Sequence, residues 1–207
     1  MAAKNPLLRR VYAFEGDKDD ISNVYSDWAK SYEEDTLSGM GYVAPALAAE
    51  ALTRNVGDDA RVLDAGCGTD LVGLEISRRC KATVDGRDLS QAMLDEAKAK
   101  EVYDDLQTAD LTKPLDIEDD SYEGVICVGV FTSGHVGPKA LDELSRVAKP
   151  GAPVIVTMHE NGWTSDGYFE HLKGMERRGL VTIRGISESA YHEKEGMTCR
   201  LCVLEAA

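Results

Sequence analysis

The sequence predicts a doubly wound α/β fold with a mostly parallel sheet of seven strands. Short apolar runs bounded by glycine, proline or acidic residues alternate along the chain with amphipathic helical patterns. This alternation is typical of parallel sheets whose crossovers are helices. The last two apolar runs, residues 180–186 and 197–204, are joined through Glu195-Gly196 without a helical pattern between them. We therefore expect one edge strand to run antiparallel.

No linker rich in Pro, Gly or Ser divides the 207 residues, of which 43% are hydrophobic. A chain of this size and composition can bury one sizeable core. We therefore expect a flexible N-terminus over residues 1–18, followed by a single domain over residues 19–207. Within that domain, we expect residues 19–56 to be helical and residues 57–207 to form the α/β core.

The net charge of −14 argues against nucleic acids and anionic membranes as partners, because proteins bind both through clustered Lys and Arg. No apolar run is long enough to span a bilayer, and no apolar core of a signal peptide follows Lys4, Arg9 and Arg10. We therefore expect a cytoplasmic protein whose partner is a small molecule.

The five cysteines lie mostly in apolar runs, which is typical of reduced, buried thiols. Cys199 and Cys202 have the spacing of redox motifs, but strand residues three positions apart face opposite ways. The four histidines show no metal-ligand spacing. We therefore expect neither a disulfide nor a metal site.

A stripe rich in aromatic residues predicts the first helix. From Asp19, a residue type that favours helix caps, apolar side chains recur at helical spacing. They are Ile21, Val24, Tyr25, Trp28 and Tyr32. Gly39 and Gly41 interrupt the chain before a second helix over residues 46–52. The stripe either packs into the core or forms a lid over a ligand site, and the pattern alone leaves both alternatives open.

The segment over residues 61–70 predicts a strand, a tight glycine turn and the start of a helix. Val62 and Leu63 form the short buried strand, and apolar residues at helical spacing follow from Leu71. Gly66 and Gly68 let the backbone approach a ligand where a Cβ would clash, and the helix start presents unpaired N–H groups. The turn therefore predicts a pocket for a small molecule.

Acidic residues lie at the ends of the next two strands. Residues 82–88 form a strand that ends at Asp88, 20 residues after Gly68. A carboxylate at this spacing can accept hydrogen bonds from ribose hydroxyls. Ser90 then caps a helix that turns Met93 inward. Residues 106–111 form the third strand, which ends with Asp110 and Leu111.

The remaining elements complete the sheet. Residues 122–130 are almost continuously apolar, as expected of a strand covered on both faces. A helix around residues 141–147 ends at a Lys-Pro-Gly sequence, and residues 153–158 form the fifth strand. A helix over residues 168–178 precedes the final two strands.

Four segments carry a family resemblance. They are Val62-Leu63-Asp64-Ala65-Gly66-Cys67-Gly68-Thr69, Asp88-Leu89-Ser90, Ala109-Asp110-Leu111 and Leu144-Ser145-Arg146-Val147-Ala148-Lys149-Pro150-Gly151. In this order they resemble the motifs of class I S-adenosylmethionine-dependent methyltransferases, which implies a Rossmann-like fold and S-adenosylmethionine as cofactor. The stretches 128–132 and 134–137, with the aromatic first helix, are most similar to methyltransferase-like proteins of the Williams-Beuren region type.

The resemblance implies a cofactor-binding set. Its members are Tyr25, Trp28, Tyr32, Asp64, Ala65, Gly66, Gly68, Asp88, Leu89, Met93, Asp110, Leu111, Val128 and Gly129. In this set the glycines pass under the methionine and ribose, Asp64 orients the turn, and Asp88 binds the ribose hydroxyls. Asp110 accepts a hydrogen bond from the adenine amino group, apolar side chains flank the ring, and Val128 and Gly129 lie near the methionine. The aromatic helix would close the pocket as a lid, with ring faces near the sulfonium.

Asp70 departs from the family pattern, which has a third glycine at this position. Its side chain either crowds the methionine end of the cofactor or points away and caps the next helix, and we favour the cap because the other motifs are intact. A nicotinamide-dependent dehydrogenase is one alternative, but its fingerprint needs a glycine where this chain has Leu71. A non-catalytic regulatory protein that still binds S-adenosylmethionine is the other.

Methyl transfer from a sulfonium is a direct displacement, so such a protein mainly aligns the accepting atom, the methyl and the sulfur. His135 follows the fourth strand and His159 follows the fifth, at the sheet end where ligands bind, and both are candidate general bases. Tyr42, Thr132, His135 and Trp163 are the candidate acceptor-binding residues. An ordinary structural role is the alternative for each. We expect methyl transfer to an O, S or N atom of a small molecule.

Overall fold

The computed structural model describes residues 18–132 and 136–207. Its sheet has seven strands, which are β1 (Arg61–Ala65), β2 (Thr83–Asp88), β3 (Asp105–Thr108), β4 (Gly124–Phe131), β5 (Pro153–His159), β6 (Val181–His192) and β7 (Met197–Ala206). The strand order is β3-β2-β1-β4-β5-β7-β6. Strands β1 to β5 pair in parallel, whereas β7 runs antiparallel to β5 and β6. The predicted mostly parallel, seven-stranded α/β sheet is confirmed.

Helices connect the strands and cover the sheet. They are α1 (Lys18–Trp28), a π-helix (Glu34–Met40), α2 (Ala44–Thr53), α3 (Leu71–Ser77), α4 (Gln91–Lys98), α5 (Ala140–Val147), α6 (Glu160–Ser165), α7 (Tyr168–Arg177) and a 3₁₀ turn (Glu193–Glu195). Alternate residues of β4 face opposite layers, as strand geometry requires. Ile126 belongs to the apolar cluster that contains Leu52 of α2, and Cys127 to the cluster that contains Leu141 of α5. Both faces of the sheet are therefore covered, which explains the continuous apolar run of β4.

The chain reverses its direction across the sheet between β1 and β4. From β1 it proceeds to β2 and β3 on one side, and β4 and β5 then follow on the other side. In open α/β sheets, ligands bind at such a switch point, outside the carboxyl ends of the strands. The turn after β1 and the end of β4 therefore form the two sides of one crevice.

The antiparallel strand does not lie at the edge. β7, the strand that runs against the others, is an inner strand, and β6 lies outside it at the edge. The prediction that the antiparallel strand lies at the edge is therefore wrong. β6 also continues to His192 instead of ending at Ile186. Ser187 and Glu188 interrupt the apolar pattern, but a strand at a sheet edge tolerates exposed polar side chains, and both residues pair with β7.

The N-terminal helices differ from the prediction in two ways. α1 ends at Trp28, and the side chains of Trp28 and Ser31 both donate hydrogen bonds of 2.8 Å to Asp35 across the following turn. Tyr32 therefore lies beyond α1, and the prediction of one helix through Tyr32 is wrong, although its ring still packs with those of Tyr25 and Trp28. Gly39 lies inside the π-helix, and only Gly41, with φ of 70°, ends it. The segment predicted to be flexible lies, except for Lys18, outside the described residues.

The five cysteines are free thiols, of which Cys80 is half-buried and the others are buried. Cys199 and Cys202 belong to different apolar clusters, as expected of strand residues three apart. Within residues 18–132 and 136–207, no His, Cys, Asp and Glu side chains form a group that could hold a metal ion. In the same ranges, every helix is too short or too polar to cross a membrane.

Candidate functional site

A cavity opens at the carboxyl ends of β1, β2 and β4. Its empty volume is about 870 Å³ with the open space at its mouth included. It is lined by Tyr25, Tyr32, Gly66, Gly68, Asp88, Leu89, Ser90, Met93, Ala109, Asp110, Leu111, Thr112, Val128, Gly129, Val130 and Val136. Eleven of the fourteen predicted cofactor-binding residues are among them, whereas Trp28, Asp64 and Ala65 are not.

The glycine turn follows β1 and forms the floor of the cavity. Gly66 has φ of 84°, and a Cβ on it would stand 2.1 Å from Val130 Cγ2, so no larger residue fits there. Gly68 has φ of 55°, and no protein atom lies within 4 Å of the position that a Cβ would occupy. The space beside Gly68 is therefore available to a ligand.

Asp88 ends β2 with both carboxylate oxygens oriented by backbone amides. Gly68 N donates a hydrogen bond of 2.9 Å to Oδ2, and Ser90 N donates one of 2.9 Å to Oδ1. Burial raises the pKa of Asp88, and the two hydrogen bonds oppose that shift. Each carboxylate oxygen has a further lone pair, so Asp88 can also accept hydrogen bonds from a ligand.

Asp110 lies beyond the end of β3, which stops at Thr108 rather than at the predicted Leu111. Its Oδ1 accepts hydrogen bonds from Thr112 N at 3.0 Å and Thr112 Oγ1 at 2.6 Å, which form a local turn. Its Oδ2 lies 3.3 Å from Lys113 Nζ. Leu111 and Met93 are buried beside it, and Leu89 is 41% exposed at the mouth. The carboxylate therefore borders an apolar slot.

Two carboxylates are buried beneath the turn. Asp64 and Asp70 are both 0% exposed, and Tyr103 Oη donates a hydrogen bond of 2.6 Å to Asp64 Oδ2. Burial raises the pKa of Asp64 to about 7 and that of Asp70 to about 7. The charge of Lys100 opposes the shift at Asp70. Asp64 therefore supports the turn from below and does not contact the cavity, while Ala65 beside it is buried in the core.

Asp70 holds the backbone conformation that the family gives to glycine, with φ of 92°. Asp70 is the N-cap residue of α3, as predicted, but its side chain makes no capping hydrogen bond, so the predicted capping contact is wrong. The carboxylate folds over Gly73 instead, where an added Cβ would stand 2.1 Å from Asp70 Oδ1. Asp70 therefore leaves the cavity open, and Leu71 after it is buried as the first residue of α3.

A polar contact joins the N-terminal region to the glycine turn. Glu33 Oε1 accepts a hydrogen bond of 2.8 Å from Thr69 Oγ1 and an ion-pair contact from Lys100 Nζ. Lys100 Nζ also donates to the Thr69 carbonyl. We call Glu33, Thr69 and Lys100 the latch. Nearby, Ser26 Oγ and Ser90 Oγ lie 3.2 Å apart, so α1 is also joined to the start of α4.

The aromatic residues of the N-terminal region divide into two roles. Tyr25 and Tyr32 line the cavity, and burial raises the pKa of Tyr25. Trp28 is 6% exposed and packs with Met40, with its ring centroid 4.8 Å from that of Tyr32. Trp28 therefore supports Tyr32 rather than contacting the cavity.

Those predicted acceptor residues that the structure describes do not line the cavity directly. Tyr42 and Thr132 are buried at 7% and 4% exposure, and Trp163 packs against Phe169 on the α6–α7 side. His159 is 4% exposed, and its Nδ1 accepts a hydrogen bond of 3.2 Å from Asn161 N at the start of α6. Burial lowers the pKa of His159. His135 lies outside the described residues.

Sequence reasoning missed several residues that lie in or beside the site. Ser90, Thr112, Val130 and Val136 line the cavity. The position of Ser90 two residues after Asp88 was a signal for its place at the cavity. No local pattern marks the latch, whose members come from three separate segments.

Comparisons with known proteins indicate the family that this chain resembles. Residues 62–151 match a family model described as a methyltransferase domain. Methyltransferase-like protein 27 of Homo sapiens is 34% identical over 143 residues, which cover 67% of this chain and 58% of that protein. The chain therefore spans little more than half the length of this relative.

Two solved structures share the fold. A TehB-like SAM-dependent methyltransferase from Corynebacterium glutamicum has a TM-score of 0.66 at 20% identity, covering 88% of this chain and 98% of that chain. The [4+2]-cyclase SpnF has a TM-score of 0.68 at 16% identity, covering 89% and 95%. Residues 62–151 thus form a methyltransferase domain, and the resemblance of the chain to class I S-adenosylmethionine-dependent methyltransferases is confirmed.

Proposed function

We propose that this protein binds S-adenosylmethionine in the cavity and transfers its methyl group to an O, S or N atom of a small-molecule acceptor. The observation that carries the proposal is the orientation of Asp88, which is held by Gly68 N and Ser90 N at 2.9 Å each on the cavity wall. A carboxylate at the end of the second strand, beside a glycine turn, suits a ribose diol.

The residues present fit the cofactor. The open space beside Gly68 leaves room for the ribose and methionine, and Asp88 accepts hydrogen bonds from the ribose hydroxyls. Asp110 would accept one from the adenine amino group, and Leu89, Met93 and Leu111, which line the cavity, would hold the adenine ring between them. Val128 and Gly129 border the methionine end. Asp64 and Ala65 act indirectly by holding the turn from below.

We further propose that the N-terminal helical region is a lid. Tyr25 and Tyr32 cover the cavity, Trp28 supports them, and the latch joins the region to the glycine turn. A closed lid excludes water, and a ring face near a desolvated cation contributes about 2 kcal/mol of attraction.

The cofactor supplies an activated methyl group on a sulfonium, which is a good leaving group. The chain contributes alignment and exclusion of water, which are the main requirements of a direct displacement. His135 and His159 are the proposed bases where the accepting atom carries a proton, and Tyr42, Thr132 and Trp163 are the proposed acceptor-side residues.

The net charge and the free cysteines support two further parts of the proposal, which are the class of acceptor and the cellular compartment. The net charge of −14 disfavours nucleic acids and anionic membranes as acceptors. The five free thiols favour a reducing compartment such as the cytoplasm.

Calorimetric titration with S-adenosylmethionine and S-adenosylhomocysteine tests the proposed site. We expect the native chain to bind both and Asp88→Asn to bind each about tenfold or more weakly, because a charged hydrogen-bond acceptor is lost. Asp95→Asn is the matched control, since Asp95 is exposed on α4. Transfer of a labelled methyl group to a panel of small alcohols, thiols and amines then tests the reaction. Failure of both ligands to bind would overturn the proposal.

The second candidate is a protein that binds the cofactor without transferring the methyl group. Asp70 in place of a motif glycine favours it, because Asp70 adds a buried carboxylate under the turn. The same fold also occurs in a protein named a [4+2]-cyclase, SpnF. Tight binding of S-adenosylmethionine without methyl transfer to any member of the panel would favour this candidate.

A further inference from the structure

Two phenol groups adjoin the cavity where β4 borders it. Gly129 lines the cavity and has φ of 81°. A Cβ on Gly129 would stand 2.6 Å from Tyr42 Oη and 3.4 Å from Tyr191 Oη. The missing side chain therefore lets both hydroxyls approach the strand at the end where the methionine part of the cofactor is expected.

These tyrosines belong to a buried ring cluster, which we define as Tyr42, Tyr191, His159 and His192. The Tyr191 centroid lies 5.1 Å from that of Tyr42, 4.5 Å from that of His192 and 5.5 Å from that of His159. All four side chains are at most 7% exposed. The isolated bridge between Tyr42 and His192 fixes the segment before α2 against the end of β6.

The ring cluster is uncharged at neutral pH. Burial lowers the pKa of His192 to about 4, with a further contribution from His159. Burial also lowers the pKa of His159, although the charge of Glu160 opposes this shift. Glu160 is already paired with Arg200, at 3.0 Å. A charged group placed next to this uncharged, buried cluster would therefore be costly to desolvate.

The adjoining part of the cavity is apolar. Val128, Val130 and Val136 line it, and no Lys, Arg or His is among the described residues that line the cavity. The two carboxylates of the cavity, Asp88 and Asp110, follow β2 and β3 on the side assigned above to the nucleoside. Transfer of a charged group into such surroundings is costly, whereas an uncharged polar group needs only a hydrogen-bond partner.

We propose, resting on the function proposed above, that Tyr42 and Tyr191 bind the accepting group of an uncharged molecule through their hydroxyls. The acceptor is an alcohol, a thiol or a neutral N–H compound with an apolar body. In the transfer, its O, S or N atom forms a bond to the methyl carbon while the carbon–sulfur bond breaks. The electron pair of that bond remains on sulfur, and the proton of the acceptor passes to one of the bases proposed above.

Three probes of similar shape test the preference for an uncharged acceptor. Benzyl alcohol, benzoate and benzylammonium share one ring and differ in charge, and each is titrated by ligand-observed NMR into protein saturated with S-adenosylhomocysteine. We expect benzyl alcohol to bind about tenfold or more tightly than either ion, because transfer of a charged group into an apolar site costs more than transfer of an uncharged one. Tyr42→Phe and Tyr191→Phe should each weaken benzyl alcohol binding about fivefold or more through loss of a hydrogen bond, with unchanged affinity for S-adenosylhomocysteine.

Tyr122→Phe is the matched control. Tyr122 is equally buried, but its hydroxyl donates to Asp85 at 2.9 Å, outside the cavity. We expect it to bind benzyl alcohol like the native chain. Thermal unfolding checks that all four variants fold: the three single variants and the Tyr42→Phe, Tyr191→Phe double variant. This inference alone is overturned if benzyl alcohol does not bind, or if benzoate or benzylammonium binds as tightly as benzyl alcohol. It is also overturned if the Tyr42→Phe, Tyr191→Phe double variant binds benzyl alcohol with native affinity. Absent binding of S-adenosylhomocysteine overturns the proposed function, and this inference with it.

Discussion

Tyr103 and Asp64 are joined beneath the glycine turn by a hydrogen bond of 2.6 Å from the phenol to Asp64 Oδ2. Asp64 is the fourth residue of β1, and its other oxygen, Oδ1, has no hydrogen-bond partner among the described residues. Tyr103 also touches the space over Gly73, where an added Cβ would stand 2.9 Å from its hydroxyl. One tyrosine therefore supports both the strand and the helix on either side of the turn.

Tyr103→Phe should lower the free energy of unfolding by about 1–3 kcal/mol at pH 8, because it leaves a buried carboxylate without its donor. The loss should be smaller at pH 5, where Asp64, whose pKa is about 7, is protonated in the folded state. Urea unfolding at the two pH values measures both effects.

Tyr122→Phe is the control for that comparison. In the native chain, the Tyr122 hydroxyl also donates to a buried carboxylate, that of Asp85. Arg61 Nε donates to the same oxygen at 2.9 Å. Asp85 therefore keeps a partner, and we expect a smaller loss of stability. Equal losses in the two variants would show that Tyr103 has no special role in supporting the turn.

The raised pKa values of Asp64 and Asp70 predict that stability falls as pH rises. Both carboxyls have an ordinary pKa of 3.8 and a folded-state pKa of about 7, so the folded chain binds more protons than the unfolded chain between these values. The free energy of unfolding therefore declines from about pH 4 to about pH 7 through these two groups. Denaturant unfolding across this range measures the slope.

Asp70→Gly should make this decline shallower and should raise stability at pH 8 by about 1–3 kcal/mol, because it removes a buried charge and a strained left-handed residue. Asp120→Gly is the matched control. Asp120 has φ of 56° but is exposed, so its replacement relieves a strained left-handed residue without removing a buried carboxylate. An unchanged slope in Asp70→Gly would contradict the assignment of the titration to Asp70.

Glu33→Gln tests the latch. The variant removes the charge that pairs with Lys100, and we expect S-adenosylhomocysteine to dissociate about threefold or more faster, because a half-exposed ion pair contributes up to about 1 kcal/mol. Overall stability should change little. Stopped-flow release of the ligand measures the rate.

The control for the latch is Glu50→Gln on α2, which breaks an exposed ion pair with Arg54 outside the cavity. We expect native release from this variant. Equal acceleration in both variants would mean that the effect comes from net charge, and the lid would then not depend on Glu33.

The glycine turn and Asp88 could be predicted from the sequence because their roles depend on local geometry. Gly66 and Gly68 have positive φ, and Asp88 reaches Gly68 N because β1 and β2 are adjacent parallel strands. Ser90 likewise caps α4 through Met93 N. Residues close together in one strand–turn–helix unit leave a pattern that spacing alone reveals.

The ring cluster and the latch could not be predicted because distant segments meet there. Tyr191 lies on the part of β6 that follows Ser187 and Glu188, where the alternation of apolar residues is lost. Lys100 follows α4, and only the fold brings it to Glu33. The capping hydrogen bond predicted for Asp70 is absent because its carboxylate packs over Gly73 instead. That contact depends on the left-handed backbone at Asp70, which the sequence does not reveal.

Gly68→Ala separates the conformational role of the turn from its role in binding. Gly68 and Gly179 have φ of 55° and 71°, and no protein atom lies within 4 Å of an added Cβ at either position. Both alanine variants should therefore lose a similar stability, about 1–2 kcal/mol, from the left-handed backbone alone. Only Gly68→Ala should weaken S-adenosylhomocysteine binding, by about tenfold or more, because the methyl occupies space that the ligand needs. Calorimetry measures the affinity of both variants for S-adenosylhomocysteine. If Gly68→Ala loses as much stability as Gly179→Ala but binds with native affinity, the ligand does not lie beside the turn.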